Sequence, residues 1–258
     1  MNQGAAGLQL IAPGGLPEVR QGDDLAALVL GGCTQADWTI RSGDCFVLAQ
    51  KVVSKAQGRA VALATITPSQ EALSLAQTTG KDPRMMELVL RESVRVVRAV
   101  RGLVITQHRL GHVFANSGVD QSNVPAADGQ ECALLLPLDP DASAKAIALS
   151  LKERTGCDVS VLIIDSFGRP WREGVCGMAI GAYGLPAVID KRGRPDREGR
   201  ALQMTVIGHA DEVAAAASLL MGQADEGRPL VCMRGLAFDP AAAGIAAIHR
   251  SPATDLFR

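Results

Sequence analysis

Near-continuous apolar runs alternate along the chain with amphipathic and turn-forming stretches. Residues 159–164 form one such run, ending in Asp165-Ser166. It predicts a strand buried on both faces. Residues 45–53, apolar and β-branched behind the turn Ser42-Gly43-Asp44, predict a strand leading into a basic segment with Lys51, Lys55 and Arg59. Shorter strands are predicted at 103–106, 204–207 and 229–234. Asp23-Asp24 ahead of the apolar residues 25–30 predicts a capped helix. Residues 69–100 make the longest helical region, which Pro83 divides in two. Its second half sets Leu88, Val89, Val96 and Val97 among charged residues in an amphipathic pattern. Further helices are predicted from Pro140 to about residue 154 and over the Ala-rich residues 211–221. Residues 1–24 read as a strand followed by turns. Residues 168–184 are glycine-rich, and the stretches 111–123, 190–199 (charged) and 222–229 (polar) read as loops or turns. Strands and helices mix without regular alternation, so the expected fold class is α+β, with mixed sheets and flanking helices.

Composition changes this outline modestly. The 258 residues are 47% hydrophobic and 21% charged, but only 3% aromatic, so the core must be built from Ala, Val, Leu and Ile. Lys plus Arg number 26 against 27 Asp plus Glu, and a net charge of -1 gives no electrostatic case for nucleic acid or an anionic membrane. The six cysteines contain no CxxC pair and fit reduced thiols in a cytoplasm. No signal peptide is expected, because the first fifteen residues lack a basic start followed by an apolar core. No apolar run approaches the ~20 residues that span a bilayer. These features predict a soluble, cytoplasmic protein.

Several familiar motifs are missing. There is no G-x-x-x-x-G-K-[ST] loop, no G-x-G-x-x-G after a strand and no G-x-S-x-G elbow. What remains is a set of separated segments. Asp165-Ser166 at the end of a buried strand offers two hard oxygens, suited to Mg²⁺ or Mn²⁺, although a strand-end Asp also caps turns. Asp120 and Asn123, in Gly118-Val119-Asp120-Gln121-Ser122-Asn123, could serve metal and nucleotide, and the same residues make an Asx turn. Lys51, Lys55, Arg59, Arg169 and Arg172 could meet phosphate or carboxylate, or simply form a solvated basic face. Met221-Gly222-Gln223-Ala224-Asp225-Glu226-Gly227 follows a helix, with Gly222 able to allow close backbone approach or merely to end the helix. His108 and His112 are four apart, but Gly111 lies between them and no H-E-x-x-H glutamate accompanies them, which argues against zinc.

In order along the chain, these segments resemble the coenzyme F420-0:γ-glutamyl ligase family. The resemblance covers nearly all of the sequence. It includes Gly15-Leu16-Pro17-Glu18, Gly22-Asp23-Asp24-Leu25, Gly43-Asp44, Gln50-Lys51-Val52-Val53-Ser54-Lys55, Gly58-Arg59 and Arg109-Leu110-Gly111. It continues through Gly118-Val119-Asp120, Ser122-Asn123, Leu136-Pro137-Leu138-Asp139-Pro140-Asp141, Ala210-Asp211-Glu212 and Met221-Gly222-Gln223. Its most specific stretch is Asp165-Ser166-Phe167-Gly168-Arg169-Pro170-Trp171-Arg172.

The resemblance implies that Leu16, Pro17, Glu18, Val19, Gln50, Lys55, Asn123, Met221, Gly222 and Gln223 contact GTP. It implies two divalent ions, Mg²⁺ or Mn²⁺, held by Asp120, Asp165, Ser166 and Gln223, with K⁺ as a further ion. Gln50 departs from the Ser of many members. The chain also ends at Arg258 without the nitroreductase-like second domain of longer members, as in the free-standing form. The implied fold is one ligase domain over residues 1–258, divisible into two subdomains, in an intertwined homodimer. The implied partners are GTP, L-glutamate and F420-0.

The implied reaction suits the residues. A carboxylate resists attack by an amine until it is activated. GTP would convert it to an acyl phosphate, which the glutamate amine then attacks. Phosphoryl transfer needs positioning and charge neutralisation, not a protein nucleophile. Asp120, Asp165 and Ser166 are therefore the expected catalytic residues, and Arg169 or Arg172 is a candidate for holding a substrate carboxylate or diphosphate. The same motifs fit a ligase acting on another carboxylate, or a non-catalytic GTP-binding module. A zinc hydrolase on His108 and His112 is the reading from a third class.

Overall fold

A computed structural model describes residues 7–122, 130–237 and 244–255. In chain order the strands are β1 (Gln9–Ile11), β2 (Cys45–Ala49), β3 (Ala60–Ala62), β4 (Ser93–Val100), β5 (Leu103–His108), β6 (Val113–Ala115), β7 (Cys132–Leu134), β8 (Ser160–Arg169), β9 (Arg172–Tyr183), β10 (Ile189–Asp190), β11 (Val206–Ile207) and β12 (Leu230–Arg234). The helices are α1 (Leu25–Gln35), α2 (Gln50–Ala56), α3 (Gln70–Thr79), α4 (Pro83–Arg91), α5 (Pro140–Thr155) and α6 (His209–Met221). The α+β class with mixed sheets and flanking helices is as expected.

The main sheet has the order β1-β12-β2-β8-β9, with β2 and β8 parallel and every other neighbour antiparallel. Alternate residues divide between two cores. Phe46, Leu48, Val161, Ile163 and Leu230 pack with Val29 of α1 and Ile147 and Leu151 of α5. Cys45, Val47, Leu162, Ile164 and Val231 pack with Val213, Ala214 and Ala217 of α6 on the other side. Helices therefore cover both faces, which is why the sequence of β8 is apolar without alternation. Asp24 caps α1 as expected, accepting from the amides of Ala26 and Ala27. Asp44, 1% exposed, pins the start of β2 to the end of β12 through Arg234 Nε and Nη2, both at 2.7 Å, and Trp38 Nε1 at 3.0 Å.

Several expectations need correction. The run 45–53 is not one strand, because β2 ends at Ala49 and α2 begins at once with Gln50. An apolar run has no period of its own, so Val52 and Val53 suit a buried helix equally well. The helical region 69–100 stops at Arg91, and Ser93–Val100 is a strand that returns through Gly102 (φ 82°) to pair with β5. The glycine-rich stretch after Gly168 is mostly β9. A Cβ at Gly177 would lie 2.6 Å from Ala214 O, and one at Gly181 would lie 2.4 Å from Pro140 Cβ. These glycines admit α6 and α5 to the sheet. Lastly, β8 runs on past Asp165-Ser166 to Arg169, the stretch 111–123 contains β6, and 204–207 contributes only Val206–Ile207.

A second region joins the three-stranded sheet β4-β5-β6 and the pair β3-β7 to α3 and α4. Leu63, Met86, Leu88, Val89, Val104, Val119 and Leu135 make its core. Its outer face stays apolar and exposed at Val94, Val97, Val100, Leu103 and Val113. No helix among the described residues is long and apolar enough to cross a membrane.

Candidate active site

The parallel pair fixes the place of the site. Ala49 at the end of β2 lies beside Ile164 of β8, so the first turn of α2 begins level with Asp165 and Ser166. The amide of Ala49 also donates to Pro229 O at 2.9 Å, which hangs residues 222–229 over the same end of the sheet. Carboxyl ends of parallel strands are a usual home for ligands. Here they open into a cavity of about 680 Å³.

The cavity wall contains Leu16, Pro17, Glu18, Val19, Gln50, Lys55, Asp165, Ser166, Met221, Gly222 and Gln223. Four distant segments singled out in the sequence thus meet. The Ser166 hydroxyl donates to Gln223 Oε1 at 2.7 Å, and Gln223 Nε2 donates to Ser218 Oγ at 2.9 Å. Gly222 (φ 74°) makes this possible, because a Cβ there would fall within 2.0 Å of the Glu226 carboxyl carbon. Gln50 is 2% exposed and accepts from the Ser54 hydroxyl at 2.8 Å. The Lys55 ammonium is paired with Glu18.

Asp120 does not line the cavity itself. Lys51 does, and its ammonium reaches Asp120 Oδ2 at 2.7 Å and Ser122 Oγ at 2.7 Å. Asp120 also accepts from the Ser122 amide and hydroxyl, both at 2.8 Å, so the Asx turn and the candidate ligand are one arrangement. Burial opposes ionisation of Asp120, but the bonds from Lys51 and Ser122 prevail and hold its carboxyl below the usual range. Asn123 lies outside the described residues.

Asp165 is different. Its Oδ1 accepts from the Ser166 amide at 2.8 Å, but it forms no ion pair among the described residues. Burial pushes its carboxyl up to about 6, with the Ser166 amide and then the charge of Lys51 opposing and the charge of Asp120 adding to the rise. A half-buried carboxylate with no direct ion pair among the described residues, beside a second carboxylate, a hydroxyl and an amide oxygen, suits a hard divalent cation. No group of three His, Cys, Asp or Glu side chains that could hold a metal occurs among the described residues, so these mixed oxygens are the available donor set.

The basic residues separate. Arg59 is held by Leu136 O at 2.9 Å and by Glu92 at 3.2 Å, away from the cavity. Arg169 and Arg172 stand at the turn between β8 and β9. Arg228, which sequence reasoning passed over, lines the cavity. Its only signal was its place in the loop after Met221-Gly222-Gln223. His108 has both ring nitrogens occupied, by the Leu110 amide at 2.9 Å and Glu92 Oε2 at 3.3 Å, so it and His112 make no zinc pair.

Fold and cavity together define an α+β protein with carboxylate and hydroxyl oxygens facing lysine and arginine across a space of nucleotide size. The F420-0:gamma-glutamyl ligase family model matches residues 15–235. The coenzyme F420:L-glutamate ligase of Methanopyrus kandleri is 46% identical over 247 residues, covering 93% of this chain and 94% of that protein. That of Methanothermobacter thermautotrophicus is 45% identical over 229 residues, 89% of each. That of Haloarcula marismortui is 41% identical over 258 residues, 97% of this chain and 96% of its own. The chain belongs to the F420-0:γ-glutamyl ligase family, and it is an enzyme of the acid–amino-acid ligase type.

Proposed function

We propose that this enzyme joins L-glutamate to F420-0 in coenzyme F420 biosynthesis, using GTP and an acyl-phosphate intermediate. The observation that carries the reading is the meeting of Asp165, Ser166 and Gln223 with Lys51, Lys55 and Arg228 around one cavity. In the first step the acceptor carboxylate attacks the γ-phosphorus of GTP and GDP leaves. In the second, the glutamate amine attacks the acyl carbon, phosphate leaves, and the amine loses a proton. The protein supplies no nucleophile. Lys51, Lys55 and Arg228 stand where they can bind phosphate oxygens, with Leu16, Pro17, Glu18, Val19, Gln50, Met221 and Gly222 around the rest of the nucleotide.

Asp120, Asp165, Ser166 and Gln223 would hold the divalent cations, which supply charge neutralisation at the transferring phosphoryl group. With a cation bound, Asp120 would no longer need Lys51 as its partner, and the Lys51 ammonium would be free for phosphate. K⁺ is a further proposed ion, and we read residues 1–258 as one ligase domain. The six cysteines, none of them in a disulfide, fit a cytoplasmic enzyme. The exposed apolar face of β4-β5-β6 supports a homodimer, since a patch of this kind on a globular protein marks an interface.

The test is a mass-resolved ligation assay with Mg²⁺ or Mn²⁺, GTP, L-glutamate and F420-0. A product heavier by one or more glutamyl residues, formed with GDP, is expected. GDP release without product would point to another carboxylate acceptor. Nucleotide binding with neither would leave a binding module.

A further inference from the structure

Gln223 is exposed, yet both ends of its side-chain amide are held. Its Oε1 accepts from the Ser166 hydroxyl at 2.7 Å, and its Nε2 donates to Ser218 Oγ at 2.9 Å. Fixing a long exposed side chain costs rotamer entropy that water contacts would not. Ser218 stands in the last turn of α6 and lines the cavity, and the reaction steps above leave it without a task. Its place is also set by the strand that pairs with Ser166. Ser166 on β8 lies opposite Gly177 on β9. A Cβ at Gly177 would lie 2.6 Å from Ser218 Cβ and 2.6 Å from Ala214 O, so the missing side chain lets the end of α6 rest on β9 at this point. Ser166, Gly177, Ser218 and Gln223 thus close a ring of contacts beside the cavity.

The two ends of a primary amide differ in what they offer. The oxygen has lone pairs for a cation, whereas the NH₂ group has only donors. A glutamine that turns freely presents either end to its neighbours, and one whose NH₂ group is held by an acceptor presents its oxygen. We infer that Ser218 is a positioning residue, which holds the Gln223 NH₂ group so that the amide oxygen faces Ser166, beside Asp165, as a ligand for a divalent cation. The inference rests on the reading of these oxygens as cation ligands. A serine hydroxyl suits the task, since its lone pairs accept while its proton is directed elsewhere. The amide is already turned this way in the structure, with the Ser166 hydroxyl against Oε1. Groups that orient a metal ligand from behind are worth about 10–100-fold in metal affinity.

The test measures Mn²⁺ binding to the whole chain, from loss of the free-ion electron paramagnetic resonance signal at fixed GDP against a blank of GDP alone. It runs as a cycle of wild type, Ser218→Ala, Gln223→Glu and the double variant. Ser218→Ala should raise the Kd for Mn²⁺ about ten-fold, the lower end of the effect of an orienting group. Alanine is the better helix former, so α6 is kept. Gln223→Glu isolates the orienting role, because a carboxylate presents oxygen whichever way it turns. In that background, removal of Ser218 should change the Kd by no more than about two-fold. Excess Mn²⁺ should return glutamate-dependent GDP release in Ser218→Ala to the wild-type rate, because Gln223 itself remains. An unchanged Kd in Ser218→Ala would overturn the inference, as would GDP release that excess Mn²⁺ does not restore. An equal rise of the Kd in both backgrounds would also overturn it, by making Ser218 a packing residue of α6. A wild type that binds no Mn²⁺, with or without GDP, would instead remove the reading of these oxygens as cation ligands.

Discussion

Two carboxylates, one in each region of the molecule, have opposite surroundings. Glu92, between α4 and β4, is 9% exposed and meets Arg59 and Arg109 at 3.2 Å and His108 at 3.3 Å. Burial opposes its ionisation, but the His108 bond and the two guanidinium charges outweigh it and hold the carboxyl down at about 2. Asp165, at the end of the main sheet, has no such partner, and burial pushes it up to about 6. A carboxylate that serves the fold arrives with its counter-ions. A carboxylate buried without such partners is left in a costly state, which is where functional groups tend to be found. The two regions divide the same way at their surfaces. The main sheet is covered by helices on both faces, whereas β4-β5-β6 is covered on one face and leaves valines exposed on the other.

The largest effect expected from breaking this contrast is on turnover. Asp165→Asn keeps the shape and removes the charge, and glutamate-dependent GDP release should fall by about 10³-fold, as for loss of a group that acts on transition-state charge. Circular dichroism should show an unchanged fold. Retained GDP release in a folded variant would remove Asp165 from the chemistry. Glu92→Ala should do the reverse. It leaves Arg59 and Arg109 without their shared partner, and loss of one side of a buried ion pair costs about 3–5 kcal/mol. Thermal unfolding should shift down by roughly 10 °C for a chain of this size. GTP binding by the protein that remains folded should persist.

Much of the main sheet was legible because its burial is written in single residues. β8 is apolar through both faces, and the acidic and hydroxyl pair that follows such a run stands out. Asp24 caps its helix by the short-range chemistry that the sequence displays. The outer region was harder for a physical reason. Leu88, Val89, Val96 and Val97 satisfy a helical spacing, and only pairing with β5 across Gly102 makes the last two part of a strand. β9 was obscured by glycines whose purpose lies in helices elsewhere in the chain, Ala214 of α6 and Pro140 of α5. Within the site, the meeting of Ser166 with Gln223 rests on the family resemblance and not on any local pattern. Arg228 gave no local signal, because a lone arginine in a polar loop reads as solvated until the loop is seen to hang from Ala49.

Surface charge can test the other half of the contrast. Val97→Glu places a carboxylate on the apolar outer face of β4, where Val97 is 41% exposed. If that face is the homodimer interface, sedimentation should show the dimer dissociation constant raised about 30-fold or more, the effect expected at the centre of an interface. The melting temperature measured at low concentration, where the chain is a monomer, should be nearly unchanged. A wild type that is monomeric at all concentrations, or a variant that dimerises as before, would place no partner on this sheet.

The smallest effect expected is one of stability against pH, and its sign differs between the two carboxylates. Glu92 titrates at about 2 in the folded chain, below its value near 4.5 when unfolded. Its contribution is present above about pH 4.5 and is lost as the pH falls toward 2. Asp165 titrates at about 6 when folded, above its unfolded value near 3.8. Keeping it ionised is a cost that is fully present above about pH 6 and is relieved as the pH falls toward 4. Asp165→Asn should therefore raise the melting temperature of the metal-free enzyme at pH 7.5 by about 5–10 °C, an upper bound from a shift of this size. The gain should shrink through pH 5 and vanish near pH 4, where the wild-type carboxyl is protonated in both states. Excess Mg²⁺ should close the gap at pH 7.5 by stabilising only the wild type. A variant no more stable than wild type at pH 7.5 without metal would mean that Asp165 is already compensated, and the contrast with Glu92 would not hold.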